Sequence, residues 1–313
     1  MRKWYGYFNK MRSAIDSILL EIKEDRTTGA VELVRKGVDA LVLFTSNFSG
    51  TKNTFFEELV RISRILVDSQ PSIAPFFHLA NIIYLALEDH QELEAMKQAT
   101  REGIKRFALH IQNSVGEISK ITRGLIMEGS KVLTHSFSTT VLRTLIDMKK
   151  EGKEFEVICT EGRPMCEGYH LAKRLNENGI RVQLQIDSAA IYTMKDVHLV
   201  LVGADSLSPL GLVNKVGTYG LALSARERKI PFYALCGTEK LLGAGMIQKY
   251  RVLRRDPKEI WIDAPEGVEV YNFYFDTTPL ELLNAIITEE GVIRGSEILA
   301  RFQKMRVSKY FPI

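Results

Sequence analysis

Val200-Leu201-Val202-Gly203-Ala204-Asp205-Ser206, followed closely by Gly211-Leu212-Val213-Asn214-Lys215-Val216-Gly217-Thr218, is the stretch on which the reading of this chain turns. A short apolar, β-branched run that stops at Gly-Ala-Asp reads as a buried strand with a carboxylate at its tip. The Asn-Lys-x-Gly-Thr run then opens a helix whose free amides, together with Lys215, can hold a phosphate. An acid beside an anion site is therefore expected. Taken singly, an Asp that caps a turn and a Lys in solvent are the ordinary uses of these residues. Asp205, Asn214 and Lys215 gain weight only as a set.

Working outward, similar short runs alternate with helical segments from Gly129-Ser130 onward: Val132 to His135, Phe155 to Thr160, Val182 to Ile186, Leu199 to Val202 and Phe232 to Leu235. Helices are expected to start near Ser138, Cys166, Ala189 and Gly217. This alternation predicts a mainly parallel sheet with crossover helices. Such sheets hold ligands beyond the carboxyl ends of their strands, where the strand order reverses. The residues that follow each strand are thus the candidates: Ser136, Glu161 to Pro164, Asp187-Ser188, Asp205-Ser206 and Gly237 to Lys240.

From Tyr7 to about Glu128 the apolar spacing is helical throughout, as in Ile15, Leu19, Ile22 and in Phe56, Leu59, Ile62, Ile65. Breaks at Thr27-Thr28-Gly29, Ser46 to Gly50 and Gln70-Pro71-Ser72 divide it into four or five helices. The fold class expected is α/β: a helical N-terminal domain over 1–128 and a Rossmann-like domain over 129–313 that carries ligand binding and dimerisation.

The 313 residues are 45% hydrophobic, enough for a substantial core. Lys and Arg number 42 against 38 Asp and Glu, a net charge of +4, so no overall field draws the chain to nucleic acid. Cys159, Cys166 and Cys236 form no CxxC pair and fit free thiols in a reducing compartment. The apolar stretch Ile73 to Leu87 is interrupted by Pro75, His78 and Asn81 and falls short of the roughly 20 residues a bilayer needs. It is expected to be a buried helix. With polar residues directly behind the N-terminus in place of a secretory segment, the expectation is a cytoplasmic protein without membrane contact.

GxGxxG, GxxxxGK[ST] and HExxH are all absent, so neither a nucleotide-driven motor nor a zinc site is expected, and no cofactor is implied. Two further segments add to the strand-end set. In Cys159-Thr160-Glu161-Gly162-Arg163-Pro164 an arginine stands just past a strand, where its planar fork can grip phosphate or pair with Glu161. In Leu133-Thr134-His135-Ser136-Phe137-Ser138-Thr139-Thr140 hydroxyl residues lead into a helix that Ser138 can cap.

These segments, with Tyr274-Phe275-Asp276-Thr277-Thr278-Pro279 and Ile287 to Ile293, resemble one family. It comprises the alpha, beta and delta regulatory subunits of translation initiation factor 2B, their archaeal relatives, methylthioribose-1-phosphate isomerase and ribose-1,5-bisphosphate isomerase. The match is good over Lys131 to Ile293 and weaker through Asp25 to Ala30 and Pro71 to Pro75. The resemblance implies a homodimer or larger homo-oligomer and a ligand between the two domains. In the isomerase members it implies an aspartate at the place of Asp205, with phosphate and hydroxyls met by residues like Arg26, Gly29, Arg163, Asn214 and Lys215. Lys240 stands at the family's lysine position after a strand.

One departure separates two readings. The isomerases carry a cysteine in the Thr-His-Cys loop, and this chain has Ser136 there. Aldose-ketose isomerisation needs a group that titrates near neutral pH to move a proton between adjacent carbons. A cysteine, with a reference pKa of about 8.5, can be tuned to that task, whereas a serine needs a partner base. Gly237, where the family usually has glutamate, departs in the same direction. The favoured reading is a regulatory protein, related to initiation factor 2B, that binds a phosphorylated sugar or nucleotide and has a possible translation-factor partner. The alternative is an isomerase of ribose 1,5-bisphosphate or methylthioribose 1-phosphate-like substrates with Asp205 and Ser136 in the catalytic positions. A scaffold subunit with a vestigial pocket is the plainer third.

Overall fold

A computed structural model of the chain describes residues 2–25 and 28–311, with side chains from residue 10 onward. Among these residues five helices precede the first strand: α1 (Arg2–Glu24), α2 (Ala30–Asn47), α3 (Lys52–Ser69), α4 (Ala74–Asp89) and α5 (Leu93–Thr122). The breaks fall where turn and cap residues interrupt the apolar period. Thr51 accepts the Thr54 amide to start α3, and Pro75 sits in the first turn of α4, where its missing N–H costs nothing. The apolar stretch read as a buried helix is α4, whose Phe76, Phe77, Leu79 and Ile83 are fully buried. No helix among the described residues is long and apolar enough to cross a membrane.

The chain divides into two compact units. The first takes in Met1–Gln112, Leu242–Tyr250 and Gln303–Ile313, and the second Asn113–Leu241 and Arg251–Phe302. The helical unit thus claims two segments that the sequence reading gives to the sheet domain. Apolar burial is the reason: Leu242, Met246 and Phe311 enter the core built on Phe44, Phe55, Leu59 and Phe77. Phe311 stacks on Phe77 with ring centres 6.1 Å apart, and Asn81 ties the tail down by donating to the Arg306 carbonyl and accepting the Ser308 amide.

In the second unit a mainly parallel sheet forms from β1 (Lys131–Thr134), β2 (Glu156–Thr160), β3 (Arg181–Gln185), β4 (Leu199–Val202), β7 (Phe232–Leu235), β9 (Ala285–Thr288) and β10 (Gly291–Ile293). Its order is β10-β9-β7-β4-β1-β2-β3, and only the β9–β10 pair is antiparallel. The helices α6 (Thr139–Lys150), α7 (Gly168–Glu177), α8 (Ala189–Thr193) and α9 (Thr218–Glu227) lie between strands, and α10 (Gly295–Lys304) follows the last. Val132, Val157, Leu201, Leu145 and Leu171 are buried together between strands and helices. β2 and β3 lie on one side of β1 while β4 and β7 lie on the other, so the order reverses between β1 and β4. That is the position at which such sheets take ligands.

A second, smaller sheet is built from strands with no local mark of their partners in the sequence. β5 (Ser206–Ser208), β6 (Gly211–Lys215) and β8 (Phe275–Thr278) form a separate three-stranded antiparallel sheet. Asn214 and Lys215, read as the opening of a helix, are therefore strand residues paired with Asp276 and Phe275. The helix begins three residues later, at Thr218.

Candidate active site

Two strands that diverge at the reversal point deliver the first residues. The β1 end leads to His135, Ser136 and Ser138, and the β4 end to Gly203, Ala204 and Asp205. Ser136 is buried and held at a φ of 64°, an uncommon backbone state for a residue with a side chain. Ser138 caps α6 by accepting the Val141 amide at 3.3 Å. His135 is also buried, with Nε2 2.8 Å from the Val216 carbonyl and Nδ1 2.5 Å from the Thr160 hydroxyl. A carbonyl only accepts, so Nε2 carries the hydrogen and Nδ1 accepts from Thr160. Burial, the largest influence, pushes the imidazole pKa down, which favours this neutral tautomer. His135 is thus a fixed structural group.

The loop after β2 is pinned from across the sheet. Asp187, just past β3, accepts the Gly162 amide at 2.8 Å and the Arg163 amide at 2.7 Å. The Arg163 side chain is left exposed. Further along the same loop, Glu167 is buried and its Oε1 lies 2.7 Å from the Lys215 ammonium. Lys215 also faces the rings of Tyr274 and Phe275, at 4.9 and 5.8 Å from their centres.

Asp205 lies among these charges. Its carboxyl is pushed above the usual range chiefly by desolvation; Lys240 and then Lys215 pull it down, and Glu167 pushes it further up. Lys240 comes from the turn after β7 and is buried. The ends of β1, β2, β4, β6 and β7 therefore supply one cluster: Ser136, Glu167, Asp205, Lys215 and Lys240.

Of the residues singled out by sequence, Ser136, Asp205, Lys215 and Lys240 belong to this cluster. Arg163 lies on the pinned loop beside it, and buried Asn214 donates to the Thr218 hydroxyl at 3.1 Å. Gly29 caps α2 in the helical unit, and Arg26 lies outside the described residues. The phosphate cradle expected at α9 takes a different form. Asp276 Oδ2 accepts the Gly217 amide at 2.7 Å and the Tyr219 amide at 3.2 Å, and Lys215 is already paired with Glu167. An internal carboxylate thus occupies that helix end. Glu167 and the clamping role of Asp187 were not singled out by sequence. Glu167 has no motif of its own; its place three residues past Pro164, on the same strand-end loop, was the available signal.

No group of three or more His, Cys, Asp or Glu residues suited to a metal occurs among the described residues. Chemically, the cluster offers buried cations for an anionic ester, a carboxyl biased toward its protonated form, and a second carboxylate.

The sequence profile described as the "Initiation factor 2 subunit family" matches residues 26–295. A Pyrococcus furiosus protein named as translation initiation factor eIF-2B subunit 2-like is 34% identical over 88% of this chain and 95% of its own length. The ribose 1,5-bisphosphate isomerase of Archaeoglobus fulgidus is 32% identical over 87% of each chain. The crystal structure of a translation initiation factor eIF-2B of Pyrococcus horikoshii OT3 superposes with a TM-score of 0.76 at 30% identity, covering 90% of this chain and 97% of that one.

Proposed function

Because this chain belongs to the initiation factor 2 subunit family, we propose that it binds a phosphorylated sugar or nucleotide at the strand ends that carry Asp205, Lys215 and Lys240. The observation that carries this reading is the burial of two lysines around one carboxyl at the point where the strand order reverses. Glu167 already offsets Lys215, and with the Asp205 carboxyl pushed toward its neutral form an anionic ester offsets the second buried lysine. Arg163, exposed on a loop whose backbone Asp187 ties down, is the proposed bidentate grip. Ligand-dependent thermal unfolding tests the reading with ribose 1,5-bisphosphate, ribose 5-phosphate and AMP as probes. A ligand at 100 times its dissociation constant adds about 2.7 kcal/mol of stability. No shift with any of the three would count against the proposal.

A second reading, a sugar-phosphate isomerase, is favoured by two observations. The Asp205 carboxyl is biased toward the protonated form that a general acid needs, and a ribose 1,5-bisphosphate isomerase is among the relatives. Conversion of ribose 1,5-bisphosphate to a ketose, followed by NMR and lost in Asp205→Asn, separates it from binding alone. Family membership also motivates the proposals of a homodimer, a cytoplasmic location and a translation-factor partner. Sedimentation equilibrium checks the first.

A further inference from the structure

We infer that Glu167 is the proton-transfer base of this site, in the place left open by Ser136; the inference rests on the isomerase reading. Four observations point to it. Glu167 Oε1 is held 2.7 Å from the Lys215 ammonium, which ties down one end of the carboxylate. Its other oxygen, Oε2, is buried without a hydrogen-bond partner among the described residues, while the residue as a whole is only 9% exposed. Stability alone selects against a buried acceptor left unpaired, so such an oxygen points to a ligand.

The third observation is location. A Cβ at Gly162, whose φ is +73°, would sit 3.1 Å from Ser136 Cα and 3.3 Å from both Glu167 Oε2 and Ser136 Cβ. The unpaired oxygen and the serine thus pack against the same glycine, which brings Glu167 next to Ser136. Fourth, Glu167 is near enough to push the Asp205 carboxyl up, by less than Lys240 or Lys215 pulls it down. Two carboxyls with different partners are a recurring way to set an acid beside a base.

The chemistry balances with these two groups alone. In a ribose 1-phosphate ester, C1 is bonded to the ring oxygen and to phosphate, so a 2-ketose forms only if the ring bond breaks and a hydrogen moves from C2 to C1. Asp205 gives its proton to the ring oxygen, which takes the C1–O electron pair. Glu167 takes the C2 proton, and that C–H pair becomes the C1–C2 double bond. Glu167 then returns a proton to C1 while the Asp205 carboxylate removes the proton of the C2 hydroxyl, leaving C2=O. Phosphate stays on C1, both carboxyls regain their starting states, and no oxidant or reductant is consumed.

Glu167→Gln tests this, because a glutamine can still accept from Lys215 but cannot take a proton. The probe is ribose 1,5-bisphosphate in D2O, with the C2 proton and the ketose product followed by NMR and the ligand-induced shift in Tm measured in parallel. The expected result is turnover by the unaltered protein and a loss of at least about 100-fold in the variant, the usual scale of general-base catalysis, with the Tm shift retained. Turnover by the variant within a few-fold of the unaltered protein overturns the role of Glu167 and leaves the isomerase reading standing. Absence of turnover and of C2 exchange in the unaltered protein, with a Tm shift present, overturns the isomerase reading and the inference with it. Should Glu167→Gln fail to unfold cooperatively, Glu167→Asp is the measurement: it keeps the charge and draws the oxygen back by one bond. The same large loss supports the role, and near-normal turnover overturns it.

Discussion

The carboxylate of Asp276 accepts the Gly217 amide at 2.7 Å, so a residue of β8 supplies the negative charge at the start of α9. Burial lifts the Asp276 pKa from 3.8 to about 6, against the lowering effect of the Gly217 and Tyr219 amides, and its Oδ1 has no partner among the described residues. A carboxyl with a raised folded-state pKa binds protons more tightly folded than unfolded. Its contribution to stability is therefore fully present below about pH 4 and is lost as pH rises through about 6.

That sign gives the first prediction. Asp276→Asn cannot titrate, so the stability of the unaltered protein relative to this variant should fall between pH 4 and pH 6 and level off above. Urea unfolding of both at pH 4.5, 5.5 and 7 measures it. A difference that stays flat or grows with pH contradicts the assigned direction.

The Lys215–Glu167 pair joins β6 to the loop before α7 inside the protein. Removing one partner strands a charge, at a cost of about 3–5 kcal/mol, whereas removing both leaves no stranded charge. Lys215→Met should therefore cost much more than the second change in Lys215→Met/Glu167→Leu. A double-mutant cycle by urea unfolding reads the coupling. Additive effects would mean that the pair does not act as a unit.

How much of this could be read beforehand varied with how local the signal was. Leu199 to Val202 and Phe232 to Leu235 were legible to the residue as β4 and β7, because a short apolar run bounded by turns carries its own signal. The three-stranded sheet was not: β6 pairs with β8 some 60 residues away, and Gly-Leu-Val-Asn-Lys alone carries no mark of that partner. For the same reason Lys215 was read as a free phosphate ligand, since nothing in its neighbourhood announces Glu167. Gly237 shows a related compensation. The Glu239 carboxylate fills the space that a side chain at 237 would need, its Oε2 lying 2.0 Å from that point. The return of Phe311 to the helical core is equally non-local.

Gly203, just past β4, packs directly against Ser138, which follows β1. A Cβ there would meet Ser138 Oγ at 2.6 Å and Ser138 Cβ at 2.8 Å. Gly203→Ala should cost about 1–3 kcal/mol by overpacking. Ser138→Gly loses only a few tenths of a kcal/mol as a cap, so adding it should restore most of the stability. Thermal unfolding of the single and double variants checks this. No recovery in the double variant would place the strain elsewhere.

Asp187 holds the Gly162–Arg163 loop by accepting two hydrogen bonds from its backbone N–H groups, and its Oδ1 stands 3.7 Å from His135 Nδ1. Asparagine is nearly the same shape but offers one acceptor and one donor, so in Asp187→Asn an amide N–H would face a second N–H. Losing one charge-assisted bond and opposing two donors should cost about 1–3 kcal/mol. The functional consequence is larger if the loop positions Arg163: affinity for a phosphate ester should drop while the cluster of Asp205, Lys215 and Lys240 stays intact. Comparing Asp187→Asn with Arg163→Ala for the Tm shift given by ribose 1,5-bisphosphate tests that link. Equal losses in both, with no further loss in the double variant, support action through Arg163. A full shift in Asp187→Asn beside a lost shift in Arg163→Ala would show that Arg163 grips without the clamp.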